Sequence, residues 1–290
     1  MRPIFQWNIG SRVLELGRRT LIMGVVNVTP DSFSDGGLYI DAEKAVVHAE
    51  RLLDDGATII DVGGESTRPG VSEPISEEEE RKRVLPVIRD LKRRRPAAVV
   101  SVDTYKASVA RAAVELGAEV VNDVSGFRWD PKMAKTLAEL KVGAVLMHSR
   151  GRPEEWKSLP PIGDPVLTVK RDLRQWAEAA TLAGIKRDRL VLDPGFGFGK
   201  RFEENYPLLA HFAELQQTGF PLLAGVSRKS FIGRILARDG KDAPVSDRLY
   251  GTLAAETALI LKGVHIIRTH DVQRTLEAAK VADAVVVNGG

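Results

Sequence analysis

Short apolar runs rich in Val and Ile recur along the chain and alternate with longer stretches in which apolar residues return every three or four positions. The first kind reads as parallel strands buried on both faces, the second as helices that cover them. Such runs fall near residues 21–27, 58–63, 98–103, 120–123, 143–148, 190–193, 222–227 and 264–270. That makes eight, the number of strands that closes an α/β barrel. None has a clean polar/apolar alternation. The pattern predicts an α/β fold, a (β/α)8 TIM barrel formed as a single domain over residues 1–290, because no Ser/Gly linker, low-complexity tract or further repeat divides the chain.

The helical stretches carry their own punctuation. Ser76 with Glu79 makes a capping-box pattern ahead of a stripe at Val84, Val87, Ile88 and Leu91. Val109, Ala112, Ala113 and Leu116 repeat the spacing before Gly117, while Val166, Val169, Leu173, Trp176, Ala180 and Ala183 mark a longer helix. Asp41 and Gly56 bracket another. Ahead of the first strand, residues 4–8 and 12–16 flank Ile9-Gly10-Ser11 and read as an N-terminal β-hairpin, within residues 1–18, that covers the bottom of the barrel.

Barrel enzymes place their chemistry at the carboxyl ends of the strands, and here those ends are polar. Asn27, Asp61, Asp103, Asn122 with Asp123, His148, Asp193, Arg228 with Lys229, and Arg268 with His270 each end or follow an apolar run. One Asn or Asp at such a place ordinarily caps a helix or holds a turn. A whole ring is costly to bury unless its members meet each other, water or a ligand, and a polar, planar ligand satisfies it. The segments after the first two strands, Thr29 onward through Phe33, Asp35 and Gly37, and Glu65 through Thr67, Arg68, Pro69 and Gly70, combine Gly, Pro and small polar residues in the manner of substrate-covering loops.

Other signals fail. Gly195-Phe196-Gly197-Phe198-Gly199-Lys200 has Pro194 where a phosphate loop needs its first Gly and Arg201 where it needs Ser or Thr. The His residues at 48, 148, 211, 265 and 270 lack zinc-ligand spacing. The basic run from Lys92 to Arg95 closes a helix with an acidic start, which the helix dipole explains.

Composition narrows the class. Apolar residues make up 43% of the 290 and Gly adds 26 more, enough for a sizeable core. Lys plus Arg number 42 against 39 Asp plus Glu, and a net charge of +3 demands no nucleic-acid partner. The absence of Cys excludes disulfides and thiolate metal sites and fits the cytoplasm. Arg2, Arg12, Arg18 and Arg19 interrupt the first twenty residues, unlike a secretory signal. No run approaches the roughly 18 apolar residues of a membrane span.

Two segments are diagnostic: Met23-Gly24-Val25-Val26-Asn27-Val28-Thr29-Pro30-Asp31-Ser32-Phe33-Ser34-Asp35-Gly36-Gly37 and Gly56-Ala57-Thr58-Ile59-Ile60-Asp61-Val62-Gly63-Gly64-Glu65-Ser66-Thr67-Arg68-Pro69-Gly70. They resemble the two signature stretches of the pterin-binding dihydropteroate synthase family. Ser101-Val102-Asp103-Thr104, Val121-Asn122-Asp123-Val124-Ser125-Gly126, Asp193-Pro194-Gly195, Gly225-Val226-Ser227-Arg228-Lys229-Ser230 and Arg268-Thr269-His270-Asp271-Val272 follow in the family's order, so the resemblance runs from about residue 3 to 287. Ser149-Arg150 and Phe196 depart from common family residues, which bears on the pocket rim.

The resemblance implies a sulfonamide-targeted, homodimeric enzyme of folate biosynthesis that joins two small molecules, 4-aminobenzoate and 6-hydroxymethyl-7,8-dihydropterin diphosphate, with magnesium as cofactor. It implies that Asp193, Asp103 and Asn122 bind the pterin edge, that Lys229 reaches the ring, and that Met147 packs on its face. By the same resemblance Arg268 and His270 clamp the diphosphate, Asn27 supplies one oxygen to magnesium, and Asp35 joins Lys229, Arg268 and His270 in the catalytic set. Thr67, Arg68, Pro69, Phe33, Phe198, Gly225 and Ser230 then shape the remaining substrate sites. The nearest alternatives are a methyltransferase acting between methyltetrahydrofolate and a corrinoid protein, and a non-catalytic pterin-binding paralogue. The first gives no reason for the Arg268 and His270 clamp, and the second none for an intact Asn27, Lys229 and His270.

Overall fold

The computed structural model describes residues 2–29, 38–65 and 74–289. Near its start, β1 (Phe5–Asn8) pairs antiparallel with β2 (Val13–Leu16), Phe5 opposite Leu16, with Gly10 at φ +93° in the turn. The second sheet is parallel and holds β3 (Leu21–Asn27), β4 (Ile59–Gly63), β5 (Val99–Asp103), β6 (Val120–Asp123), β7 (Gly143–Met147), β8 (Leu190–Asp193), β9 (Leu223–Ala224) and β10 (Ile266–Thr269). Strands β3 to β8 pair in sequence order, β10 pairs with both β9 and β3, and a bridge between Leu192 and Leu222 joins β8 to β9, so the ring closes as a (β/α)8 barrel. Only two residues of the run 222–227 form β9, because the chain turns where Lys229 N–H donates to Val226 O and Arg228 takes φ +56°.

The covering helices are α1 (Leu38–Asp54), α2 (Glu77–Arg94), α3 (Ala107–Glu115), α4 (Met133–Leu140), α5 (Pro165–Leu182), α6 (Phe202–Ala210), α7 (Ser230–Ile235), α8 (Leu249–Leu261) and α9 (Val272–Asn288). Two boundary expectations need correction. Helix α1 begins at Leu38, so Asp41 lies inside the first turn rather than ahead of it. Ser76 does cap α2, accepting from Glu79 N–H at 3.1 Å, but the Glu79 carboxylate turns to Arg83 at 2.8 Å, so the box is half made. The basic end of α2 finds partners across the surface, Arg94 on Glu43 and Arg95 on Glu50 and Asp54.

Burial divides the core into two shells. Leu21, Met23, Ile59, Val99, Val120, Val145, Val191, Leu223 and Ile266 fill the barrel interior, and Trp7, Ile9 and Leu16 of the hairpin pack against them as a floor. Their neighbours in sequence, such as Ile22, Ile60, Val100, Val121, Leu192 and Ile267, pack outward against the helices. Both faces are therefore apolar low in the barrel, which is why no alternation is visible there. Higher up, the period of two takes effect: Val99, Ser101 and Asp103 share one face, as do Ile59, Asp61 and Gly63.

Candidate active site

The register of the sheet sets Asn27 opposite Gly63, Gly63 opposite Asp103, and Asp103 opposite Asn122. Polar residues from three strands, with Gly63 of β4 between them, thus meet at one level of the mouth. Gly63 makes this possible, since a Cβ there would stand 3.3 Å from that of Asp103. At the centre Arg268 bridges two carboxylates, Nε to Asp61 Oδ2 and Nη2 to Asp103 Oδ2, both at 2.7 Å. Asn122 Nδ2 donates to the same Asp61 oxygen at 3.0 Å. Among the described residues, Asp61 Oδ1 and Ser101 Oγ are buried without a hydrogen-bond partner, so this layer retains unused polar capacity.

On the other side of the mouth, Asp193 stands opposite Met147. Asp193 Oδ1 accepts Gly195 N–H at 2.7 Å. The Lys229 ammonium donates to Phe196 O and lies 4.3 Å from the centre of the Phe198 ring. Met147 is buried with Tyr105 and Val124, and Trp129 and Phe198 pack against them, which makes an apolar wall beside the polar ring.

Burial governs the charges. It pushes the Asp103 carboxyl up to about 8 against the pull of Arg268, with the neighbouring Asp61 adding to the rise. It raises Asp193 as well, opposed by the Gly195 N–H and by Lys229. The Lys229 ammonium goes down to about 7 on burial, although Asp193 favours its charge. Burial disfavours the Arg268 cation too, but Asp61 and Asp103 outweigh it and raise its pKa. Proton affinities near neutrality in a ring of opposite charges mark a functional site.

The other expected residues sort as follows. His270 sits beside Lys229's loop, its Nδ1 3.0 Å from Ser227 Oγ. Gly225 faces Arg268, where a Cβ would lie 3.5 Å from that of the arginine. Ser230 is exposed and opens α7. Asn27 ends β3 half-buried. Phe33, Asp35, Thr67, Arg68 and Pro69 lie outside the described residues.

Three members of the expected ring leave it. Asp123 follows inward-facing Asn122, so it faces outward and accepts Ser125 N–H at 2.6 Å. His148 follows Met147 and is buried behind the wall, 3.3 Å from Asp172 and stacked on Trp176. Arg228 pairs with Asp271 in bidentate fashion, Nε to Oδ2 at 2.9 Å and Nη2 to Oδ1 at 2.6 Å. Phe196 belongs to the core rather than the rim, fully buried between Phe212 and Phe231.

Sequence reasoning placed Asp61 in the polar ring without a specific contact and assigned none to Ser101 or Lys200. The first two were legible as positions two residues below a strand-end glycine or carboxylate, while Lys200 carried no signal once the phosphate-loop spacing failed. Near the second loop, Lys106 joins buried Glu80 to Glu65, which also receives the Tyr105 hydroxyl at 3.1 Å.

Among the described residues, no group of three His, Asp or Glu side chains converges on a metal position. A magnesium ion coordinated chiefly by phosphate and water needs only one hard protein oxygen, and the Asn27 carboxamide, level with Asp103 in the register, fits that role.

A carboxylate and amide ring below two cations, walled by Met147, defines a site for a flat, hydrogen-bonding heterocycle with an anionic arm. A family model described as pterin binding enzyme matches residues 23–270, and the chain belongs to that family. Its relatives include dihydropteroate synthases matched over nearly their whole length: it is 44% identical to that of Clostridium beijerinckii over 279 residues, 96% of this chain and 98% of the relative. It is 43% identical to that of Escherichia coli K12 over 265 residues, 91% of each chain. The Xanthomonas albilineans dihydropteroate synthase with 4-aminobenzoic acid superposes with a TM-score of 0.88 at 43% identity over 98% of both chains. The Yersinia pestis enzyme in a sulfonamide complex gives 0.85 at 41% identity, over 94% of this chain and 96% of that one.

Proposed function

We propose that this site condenses 4-aminobenzoate with (7,8-dihydropterin-6-yl)methyl diphosphate to give 7,8-dihydropteroate and diphosphate. The observation that carries the reading is Arg268 held between Asp61 and Asp103 at 2.7 Å each, with Asn122, Asp193 and Lys229 on the same mouth. Adjacent N–H donors on the pterin's aminopyrimidinone edge suit a carboxylate that accepts both, and Asp193 takes that place. Asp103 and Asn122 serve the remaining donors and acceptors, Lys229 reaches the ring carbonyl or N5, and Met147 lies against a ring face.

Arg268 commits Nε and Nη2 to carboxylates, which leaves Nη1 for a phosphate oxygen, with His270 as the second clamp. Asn27 would hold a magnesium ion, which neutralises diphosphate charge when bound. Departure of diphosphate leaves positive charge on a methylene conjugated to the electron-rich dihydropterin, so stabilising the leaving group precedes attack in a dissociative displacement. The aromatic amine is neutral near pH 7, so positioning outweighs general-base catalysis. Phe198 and Ser230 border the aminobenzoate position, and Thr67, Arg68, Pro69, Phe33 and Asp35 keep the roles that the family resemblance implies.

A cytoplasmic homodimer completes the proposal. No helix among the described residues is long and apolar enough to cross a membrane. Ile235 of α7, Tyr250 and Leu261 of α8, and Val281 and Val285 of α9 are large apolar residues left exposed on the last three helices, and such residues suit contact with a second copy of the chain. Incubating the purified protein with the pterin diphosphate, magnesium and 4-aminobenzoate should yield dihydropteroate by mass spectrometry. Absence of that product overturns the reading.

A further inference from the structure

Lys200 closes the glycine-rich segment after β8 that failed as a phosphate loop. Its side chain is buried, and its ammonium donates to Gly195 O at 2.8 Å and to His148 O and Phe198 O at 3.3 Å each. All three partners are backbone carbonyls. The loop lies so tightly on the end of β7 that a Cβ at Gly195 would stand 2.0 Å from His148 O, and one at Gly199 would stand 2.6 Å from Arg150 O. Carbonyl dipoles converging in this way repel each other unless a cation sits between them.

The same loop supports both sides of the proposed pterin site. Gly195 N–H holds Asp193, Phe196 O accepts from Lys229, and the Phe198 ring lies beneath that ammonium. We propose that Lys200 is a positioning residue for the pterin site, an internal cation that ties the ends of β7 and β8 to the 194–199 loop so that Asp193 and Lys229 keep their aim. The inference rests on the proposed function and goes beyond it in naming what organises the site.

Its charge has a second effect. The charged groups facing Asp193 are Lys229 from the β9–α7 connection, Arg268 from β10 and Lys200 from its own loop, while β7 presents the non-titrating Met147. Burial pulls the Lys200 ammonium well below its ordinary pKa, with Lys229 and Arg150 adding to the fall and Asp193 and Glu204 opposing it, and the three carbonyl oxygens around it favour the charged form. Each cation favours ionised Asp193, so removing one raises that group's proton affinity. The acid limb of pterin binding then moves to higher pH.

The chain has no Cys, so Lys200→Cys can be alkylated at a single thiol in denaturant and refolded. 2-Bromoethylamine restores an ammonium at nearly the original reach, and 1-bromopropane gives a neutral side chain of matching length. Affinity for the pterin diphosphate is read by calorimetry across pH, beside thermal melts and Lys200→Met. The ammonium form should bind as wild type does, and the propyl and Met forms should bind about tenfold or more weakly, with the acid limb displaced upward. Equal affinity and an unmoved limb in the neutral forms overturn the proposal. So do neutral forms that fail to fold where the ammonium form folds, because Lys200 then serves stability alone. A wild-type protein that binds no pterin diphosphate refutes the proposed function itself.

Discussion

Asp61, Asp103, Arg268, Asp193 and Lys229 are individually expensive to bury, and each is tolerable because another member or a backbone N–H compensates it. Asp193 offers the plainest test. Replacing it with Ala removes a charged acceptor from the pterin edge, and affinity measured by calorimetry should fall roughly 10- to 100-fold. Unchanged affinity removes Asp193 from the site. Asp61→Asn keeps the volume but withdraws one of the two anions on Arg268, leaving a buried cation half-paired. A stability loss of about 3 kcal/mol is expected from urea unfolding, with lower kcat/KM. A fully active, equally stable variant would show that the bridge is incidental.

Among the elements, the hairpin earns its place through one side chain. Trp7 is buried under the barrel and donates its indole N–H to Arg189 O at 2.8 Å. Trp7→Ala should cost about 3–5 kcal/mol by removing that floor, seen as a lower urea midpoint. The junction of α8, α9 and β10 holds another buried group. Glu256 of α8 accepts from the Thr275 hydroxyl of α9, which meets Thr269 of β10. Burial raises this carboxyl from 4.5 to about 7. The folded state therefore binds its proton more tightly than the unfolded chain does. The associated stability is full below about pH 4.5 and is lost as pH rises through about 7. Against Glu256→Gln, the native chain should lose roughly 2 kcal/mol between about pH 5 and pH 8, read from paired thermal melts. A difference independent of pH would refute the assignment.

For the whole molecule, the exposed apolar residues of α7, α8 and α9 predict association. Sedimentation should find a dimer, and Tyr250→Asp combined with Val281→Asp should give a monomer that still folds, since both side chains are exposed. Monomeric wild-type protein at micromolar concentration would refute this.

The chain by itself determined the barrel. Apolar runs, helical stripes and caps are local properties, and strands buried on both faces must read as continuous hydrophobic stretches. It also determined which strand ends are polar, and through its motifs the family. Which of those groups face one another was a tertiary decision. Arg268 meets Asp61 across 207 residues of chain, and that pairing exists only once β10 closes against β3. Likewise the face of a strand, alternating every residue, separates Asn122 from Asp123 and Met147 from His148, and placing it requires the register. Lys200 shows the limit most clearly: its partners are backbone carbonyls, which every residue possesses, so only folded coordinates reveal where three of them converge.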